Sequence, residues 1–253
     1  MSPRGSWPRG GVRTRLPVVF RKSATRQFSP SDVTGLAAWY DASNAASITL
    51  NGSTVSQWND LSGNGRHQVQ GSASLQPTYN ASGLNGKGTL TTSGTQWTQA
   101  SAFASSSSAT IFLVWKIANA AGTPFIFQRG GVNDVHSFLM NPGTNQLQAR
   151  RGASNQGTLT VSGLGTPDIW RVGTLVFSTT LSRIYNGNSV GTDNTATVSA
   201  PVGNKVLTLF ALDSATRAGH PGIAEFLYYS SQLDDTQQAA VRTYLGNKWG
   251  ITL

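Results

Sequence analysis

From Ser29 onward the sequence breaks into short apolar runs separated by clusters of Gly, Asn, Ser and Pro. Such runs are too short for helices and fit strands joined by turns. The clearest are TIFLVWKI (110–117), PFIFQ (124–128), SFLM (137–140), RVGTLVF (171–177), KVLTLFAL (205–212) and IAEFLYY (223–229), dominated by β-branched and aromatic residues. LSRIYNGNSVG (181–191) reads as a hairpin with an exposed tip, because Asn186 and Gly187 tolerate the positive φ of tight turns. ASSSSA (104–109) has nothing to bury and reads as a loop. No internal repeat of propeller or solenoid length is visible.

One helix is predicted near the C-terminus. Asp234 can cap it, Gln237 completes a capping box, and Val241, Tyr244, Leu245 and Lys248 follow at i, i+3, i+4 and i+7. This stripe must lie on a sheet, with the Lys248 stem extended beside Trp249. Many short strands and one terminal helix predict an all-β fold, a two-sheet antiparallel sandwich.

At 253 residues, a chain of this kind can be a single β domain with a core that needs no disulfide or metal. Cysteine is absent, which removes thiolate catalysis, Cys-type zinc sites and disulfides. No apolar run approaches the length of about 20 residues that a spanning helix needs. The first residues offer only LPVVF (16–20) where a signal peptide needs a longer apolar region. A soluble, unprocessed chain with no membrane partner is expected.

The net charge of +9 is uneven, since residues 1–28 hold seven of the 19 basic residues and none of the ten acidic ones. Pro and Gly punctuate this stretch so often that it should not fold alone. We read 1–28 as a basic extended arm and 29–253 as the folded domain. Docking onto a larger assembly is the favoured role of the arm, through Arg4, Trp7, Arg9, Arg13, Arg15, Phe20, Arg21, Lys22 and Arg26. Residues 16–20 could add a strand to a partner's sheet edge. A solvated tail, a nucleic-acid contact and an organelle presequence compete with docking. Nucleic acid is disfavoured because no folded reader or stacking platform accompanies the charge.

The segments GLAAWYDAS (35–43), VSQWNDLSGNGRH (55–67), QPTY (76–79) and GLNG (83–86), with the ending IAEFLYYSSQLDDTQQAAVRTYLGNKWGI (223–251), resemble laminin-G-like, concanavalin A-like jelly-roll domains. The resemblance spans about 31–252 and is most specific at its two ends. Domains of this kind occur in bacteriophage structural proteins and in bacterial surface or secreted proteins. The resemblance therefore implies a non-enzymatic virion component (capsid decoration, head-fibre or tail-associated), located in the virion, contacting capsid or tail subunits and forming a homo-oligomer. The alternative is a carbohydrate-binding module or adhesin for cell-surface glycans.

Glu225 is the only glutamate. Retaining glycosidases need two carboxylates about 5 Å apart, yet the same-face neighbours expected for Glu225 are Ile223, Leu227 and Tyr229, and no other strand shows paired acids. Glu225 is thus expected to be partly buried, accepting hydrogen bonds from backbone amides or an arginine. No catalytic residue, cofactor or metal is assigned. His67, His136 and His220 are scattered and read as surface residues.

The DLSGNG stretch (60–65) reads as a tight turn, with Gly63 and Gly65 supplying backbone freedom, Asp60 and Asn64 bonding locally and Trp58 anchoring it; calcium is the competing reading. For a sugar platform the candidates are Tyr79, Trp97, Trp170 and Tyr185, although most of the seven tryptophans should be core.

Overall fold

The computed structural model describes residues 26–117, 125–130, 136–141, 146–151, 154–160, 169–193, 203–211 and 221–253, with 1, 5 and 195. Of the arm residues named above, all but Arg26 lie outside the described residues, as does His220.

The apolar runs become strands, as expected. In chain order these are β1 (Leu36–Asp41), β2 (Ile48–Asn51), β3 (Thr54–Trp58), β4 (Gln68–Val69), β5 (Thr78–Leu84), β6 (Lys87–Thr91), β7 (Thr98–Ala104), β8 (Ala109–Ile117) and β9 (Phe125–Arg129). They continue with β10 (His136–Asn141), β11 (Gln146–Arg151), β12 (Ser154–Thr160), β13 (Arg171–Phe177), β14 (Arg183–Asn186), β15 (Ser189–Val190), β16 (Thr192–Asp193), β17 (Asn204–Leu209) and β18 (Pro221–Tyr229). One helix, α1 (Asp235–Trp249), follows them.

The chain is an all-β antiparallel sandwich with a C-terminal helix. One sheet runs β15-β14-β13-β8-β18-β1. The other runs β2-β3-β4-β7-β17-β9-β10-β11-β12-β16. Strands β5 and β6 connect the two, pairing with β3 on one side and β18 on the other.

Strand β8 explains why a continuous apolar run, and not an alternating one, sits at the centre. Ile111, Leu113 and Trp115 enter the core between the sheets, whereas Phe112 and Val114 enter a second core under α1. A strand buried on both faces has no polar side to show. Across the sandwich, Trp115 meets Phe138 edge-on at 5.2 Å and Phe127 meets Phe226 at 5.1 Å, ring geometries that favour the positive edge on the negative face. Close packing here restricts the backbone too: a Cβ on Gly173 would come within 2.9 Å of Trp115 Nε1.

The helix starts and stops as its sequence dictates. Asp234 accepts from the Gln237 backbone amide while the Gln237 side chain accepts from the Asp234 amide. Gly250, at φ 65°, closes the C-terminus with its amide on the Gly246 carbonyl. Val241, Leu245 and Trp249 are buried against Phe112, Val114, Leu227 and Tyr229. The predicted hairpin forms, with Asn186 paired to Ser189 across Gly187 and Asn188. Gly187 takes the positive φ of 57°, so the turn lies one residue later than predicted.

Candidate functional site

The sole glutamate sits just beyond a β-bulge. In the β18–β8 register Ile223 faces Trp115 and Glu225 faces Val114, so Ala224 is the extra residue. The bulge reverses the alternation: Ile223 points into the inter-sheet core, while Glu225 joins Leu227 and Tyr229 on the helix side. Two of the three expected same-face neighbours are therefore right, and Ile223 is not.

Nor does Glu225 stand alone. The β1–β18 register sets Asp41 directly opposite it, and Lys248 Nζ donates to Asp41 Oδ2 at 2.6 Å and to Glu225 Oε2 at 2.7 Å. A cross-strand acid pair is invisible in the sequence of either strand. Trp249 Nε1 donates to Glu225 Oε2 at 2.7 Å, and Trp39 Nε1 and Tyr244 Oη donate to Oε1 at 2.8 and 3.2 Å. Its partners are thus indoles, a phenol and a lysine, in place of the expected backbone amides or arginine. The residue is fully buried.

Burial pushes the Glu225 carboxyl above the ordinary carboxylate range; the Lys248 charge pulls it back, and the neighbouring Asp41 raises it further. The Tyr244 phenol is likewise raised, first by burial and then by the Glu225 and Asp41 charges. A cleft of about 440 Å³ lies on the outer side of α1 between Phe28 and Tyr244. Lys248 lines it, but Glu225 does not. Two carboxylates are present, yet the glutamate has both oxygens occupied and does not reach the cleft, so a substrate in that cleft cannot meet the pair that glycoside hydrolysis needs.

The DLSGNG stretch is a turn built on Asp60. Its Oδ1 accepts from the amides of Trp39 and Ser62, each at 2.9 Å, and its Oδ2 from Ser62 Oγ at 2.9 Å and the Arg66 amide at 3.0 Å. Gly63 and Gly65 hold φ of 86° and 68°, and Trp58 is fully buried in the core. Four protein donors on one carboxylate take the places a calcium ion would need. Asn64 donates to the Leu36 and Ala37 carbonyls. His67 Nδ1 accepts from the Asp60 amide at 3.1 Å. His136 is no surface residue: it is buried, stacked on Phe177 at 4.3 Å, with Nδ1 3.3 Å from Tyr228 Oη.

The four sugar-platform candidates do not converge. Tyr79 packs against the inter-sheet core and donates to the Ala42 carbonyl at 3.2 Å. Trp170 packs on the helix-side core with Lys116 Nζ 5.2 Å from its ring. Tyr185 is buried beneath Arg242, 4.6 Å away on α1. Arg26, the one described residue among the named arm candidates, forms an exposed ion pair with Asp32, so it folds back on the body.

Trp97 differs from the other three. It lines a groove of about 370 Å³ across β4, β7 and β17, together with Val69, Gln70, Gln99, Ser101 and Val206. Alternation on β7 turns Thr98 and Ala100 inward and leaves Gln99 and Ser101 on the outer surface. Val69 is 45% exposed, a large apolar side chain left in water. Gln70 Nε2 donates to the Trp97 carbonyl at 3.1 Å, and Gln99 Nε2 donates to Thr208 Oγ1 at 3.0 Å. Both amides are thereby held in place at the groove. Sequence reading found Trp97 but not its setting, because the short β4 carries no periodic signal.

No protein-family profile matches the sequence, and no curated protein matches it. Among solved structures, the receptor-binding domain of botulinum neurotoxin D is similar with a TM-score of 0.64 at 11% identity, over 89% of this chain and 57% of that one. A botulinum neurotoxin type C structure gives 0.62 at 12% identity, over 85% and 52%. A Trypanosoma rangeli sialidase in complex with sialic acid gives 0.55 at 11% identity, over 85% and 33%. The chain spans about half the length of the neurotoxin structures and a third of the sialidase. At such identities the likeness shows the β-sandwich fold and nothing specific to phage.

Proposed function

We propose that the chain is a non-catalytic glycan-binding module whose ligand lies in the Trp97 groove. The observation that carries this reading is a half-buried indole beside an exposed Val69, flanked by anchored amides, on the face that no helix covers among the described residues. An aromatic surface can pack on the C–H face of a sugar, and Gln99 and Ser101 are placed to meet its hydroxyls. Support comes from the fold's neighbours: cell entry of neurotoxin type C depends on two ganglioside molecules, and the sialidase holds sialic acid. The test is a glycan array probed with the full chain, followed by titration of the best responders. We expect binding to at least one surface glycan and at least tenfold weaker binding by Trp97→Ala. Flat responses from folded protein would refute the reading.

A place in the virion, with the basic arm docked on capsid or tail subunits, is compatible with this function and rests on the sequence resemblance alone. Copurification of the chain with assembled particles, lost on deleting residues 1–25, is the result that supports it.

A further inference from the structure

We propose that Lys248 and Asp41 become joined by an intramolecular amide bond, with Glu225 as the catalytic residue that relays the proton. The three groups come from distant parts of the chain: Asp41 ends β1, Glu225 follows the bulge in β18, and Lys248 lies in the last turn of α1. Lys248 Nζ is 2.6 Å from Asp41 Oδ2 and 2.7 Å from Glu225 Oε2, which is contact with both an electrophile and a base.

The two oxygens of Asp41 are placed for different roles. Oδ1 accepts from the Ser43 amide at 2.9 Å and from Ser43 Oγ at 2.6 Å, two donors that can hold the negative charge of a tetrahedral intermediate. Oδ2 faces the lysine and is the leaving oxygen. In the step, an ammonium proton of Lys248 passes to Oδ2, giving an amine and a carboxylic acid. The Nζ lone pair then forms the N–C bond at Cγ while Oδ1 takes the charge. Nζ gives a second proton to Glu225 Oε2, which returns it to the Oδ2 hydroxyl. The C–O bond breaks, the carbonyl reforms and one water leaves. Glu225 ends unchanged, and nothing is oxidised or reduced.

The surroundings favour condensation over hydrolysis. The rings of Trp249 and Tyr244 lie 5.2 and 5.4 Å from Nζ, and the Glu225 side chain is wholly buried. Held this close, an amine and a carboxyl react as though present at effective concentrations of about 10⁵ M or more. A carboxylate whose proton affinity is raised by burial is also a stronger base toward the attacking nitrogen. Lys248 lines the cleft beside Phe28, which gives the water a way out. An ordinary buried ion pair would share these distances, and the experiment separates the two.

The test is the intact mass of the full chain under denaturing conditions, followed by tryptic mapping. The mass should fall short of the sequence by one water, trypsin should fail to cut after Lys248, and the peptide 27–66 should be recovered joined to 243–253. Lys248→Arg, which keeps the cation but cannot condense, should give the unreduced mass, and so should folded Glu225→Gln. The full sequence mass in the unaltered chain, with cleavage after Lys248, would overturn the proposal. Survival of the water loss in Lys248→Arg would also overturn it.

Discussion

The two outer faces of the sandwich solve opposite problems. On one, α1 covers the sheet, and three of the polar side chains it brings converge on one acceptor: Lys248, Tyr244 and Trp249 all bond Glu225. On the other, the strands around Trp97 have no cover among the described residues, and Val69 stays exposed. Satisfied polar groups under a helix contribute stability and specify how the helix sits. An uncovered groove with an aromatic side chain contributes little to folding and remains available to a partner. The comparison predicts that substitutions on the two faces separate into stability effects and binding effects.

The largest effect should follow Glu225→Ala, which leaves two indoles and a phenol without their acceptor and Lys248 with Asp41 but not Glu225. Breaking a buried pair in this way costs about 3–5 kcal/mol, and thermal unfolding should shift down by about 10 °C in a chain of this size. Glu225→Gln keeps the shape and should cost about 1–3 kcal/mol from the lost charged acceptor. Glycan binding should persist in any folded fraction of either variant.

Gly88→Ala should come next. A Cβ there would lie 2.2 Å from the Ala42 carbonyl oxygen and 2.3 Å from Tyr79 Oη, so the Tyr79 contact must give way at a cost of about 1–3 kcal/mol. If Tyr79 is structural, the variant melts earlier and binds glycans unchanged. A selective loss of binding would return Tyr79 to the ligand surface.

The pH dependence sharpens the contrast further. The folded-state proton affinity of Glu225 is raised, so its contribution is fully present below the ordinary glutamate value and is lost as pH climbs through the raised one. Asp193 has the opposite sign: hydrogen bonds from Arg183 lower it, so its contribution is present above the ordinary aspartate value and is lost as pH falls through the lowered one. That pair is about a third exposed, and its effect should be small. Melting curves between pH 3 and 8 should therefore change slope clearly in Glu225→Gln and only slightly in Asp193→Asn.

Much of this fold is legible in the sequence because the signals are local. The capping box at Asp234, the RVGTLVF strand and the Asp60 turn each depend on residues within a few positions of one another. The cluster around Glu225 is not local: Asp41 reaches it through strand register, and Lys248 through the docking of α1. A bulge at Ala224 moves Glu225 to the opposite face from Ile223. The groove is equally hidden, since β4 has only two residues and Val206 faces outward at an irregularity in the β17–β7 register. Among the four aromatic candidates, only the tertiary packing tells Trp97 from the buried Tyr185.

The most direct test of the account measures glycan affinity and melting temperature side by side for Trp97→Ala and Glu225→Gln, using the strongest array ligand. The account predicts that Trp97→Ala loses at least tenfold in affinity with a small change in melting temperature, while Glu225→Gln melts several degrees lower and binds normally. Loss of binding or of glycan hydrolysis in Glu225→Gln at an unchanged melting temperature, with Trp97→Ala unaffected, would contradict it.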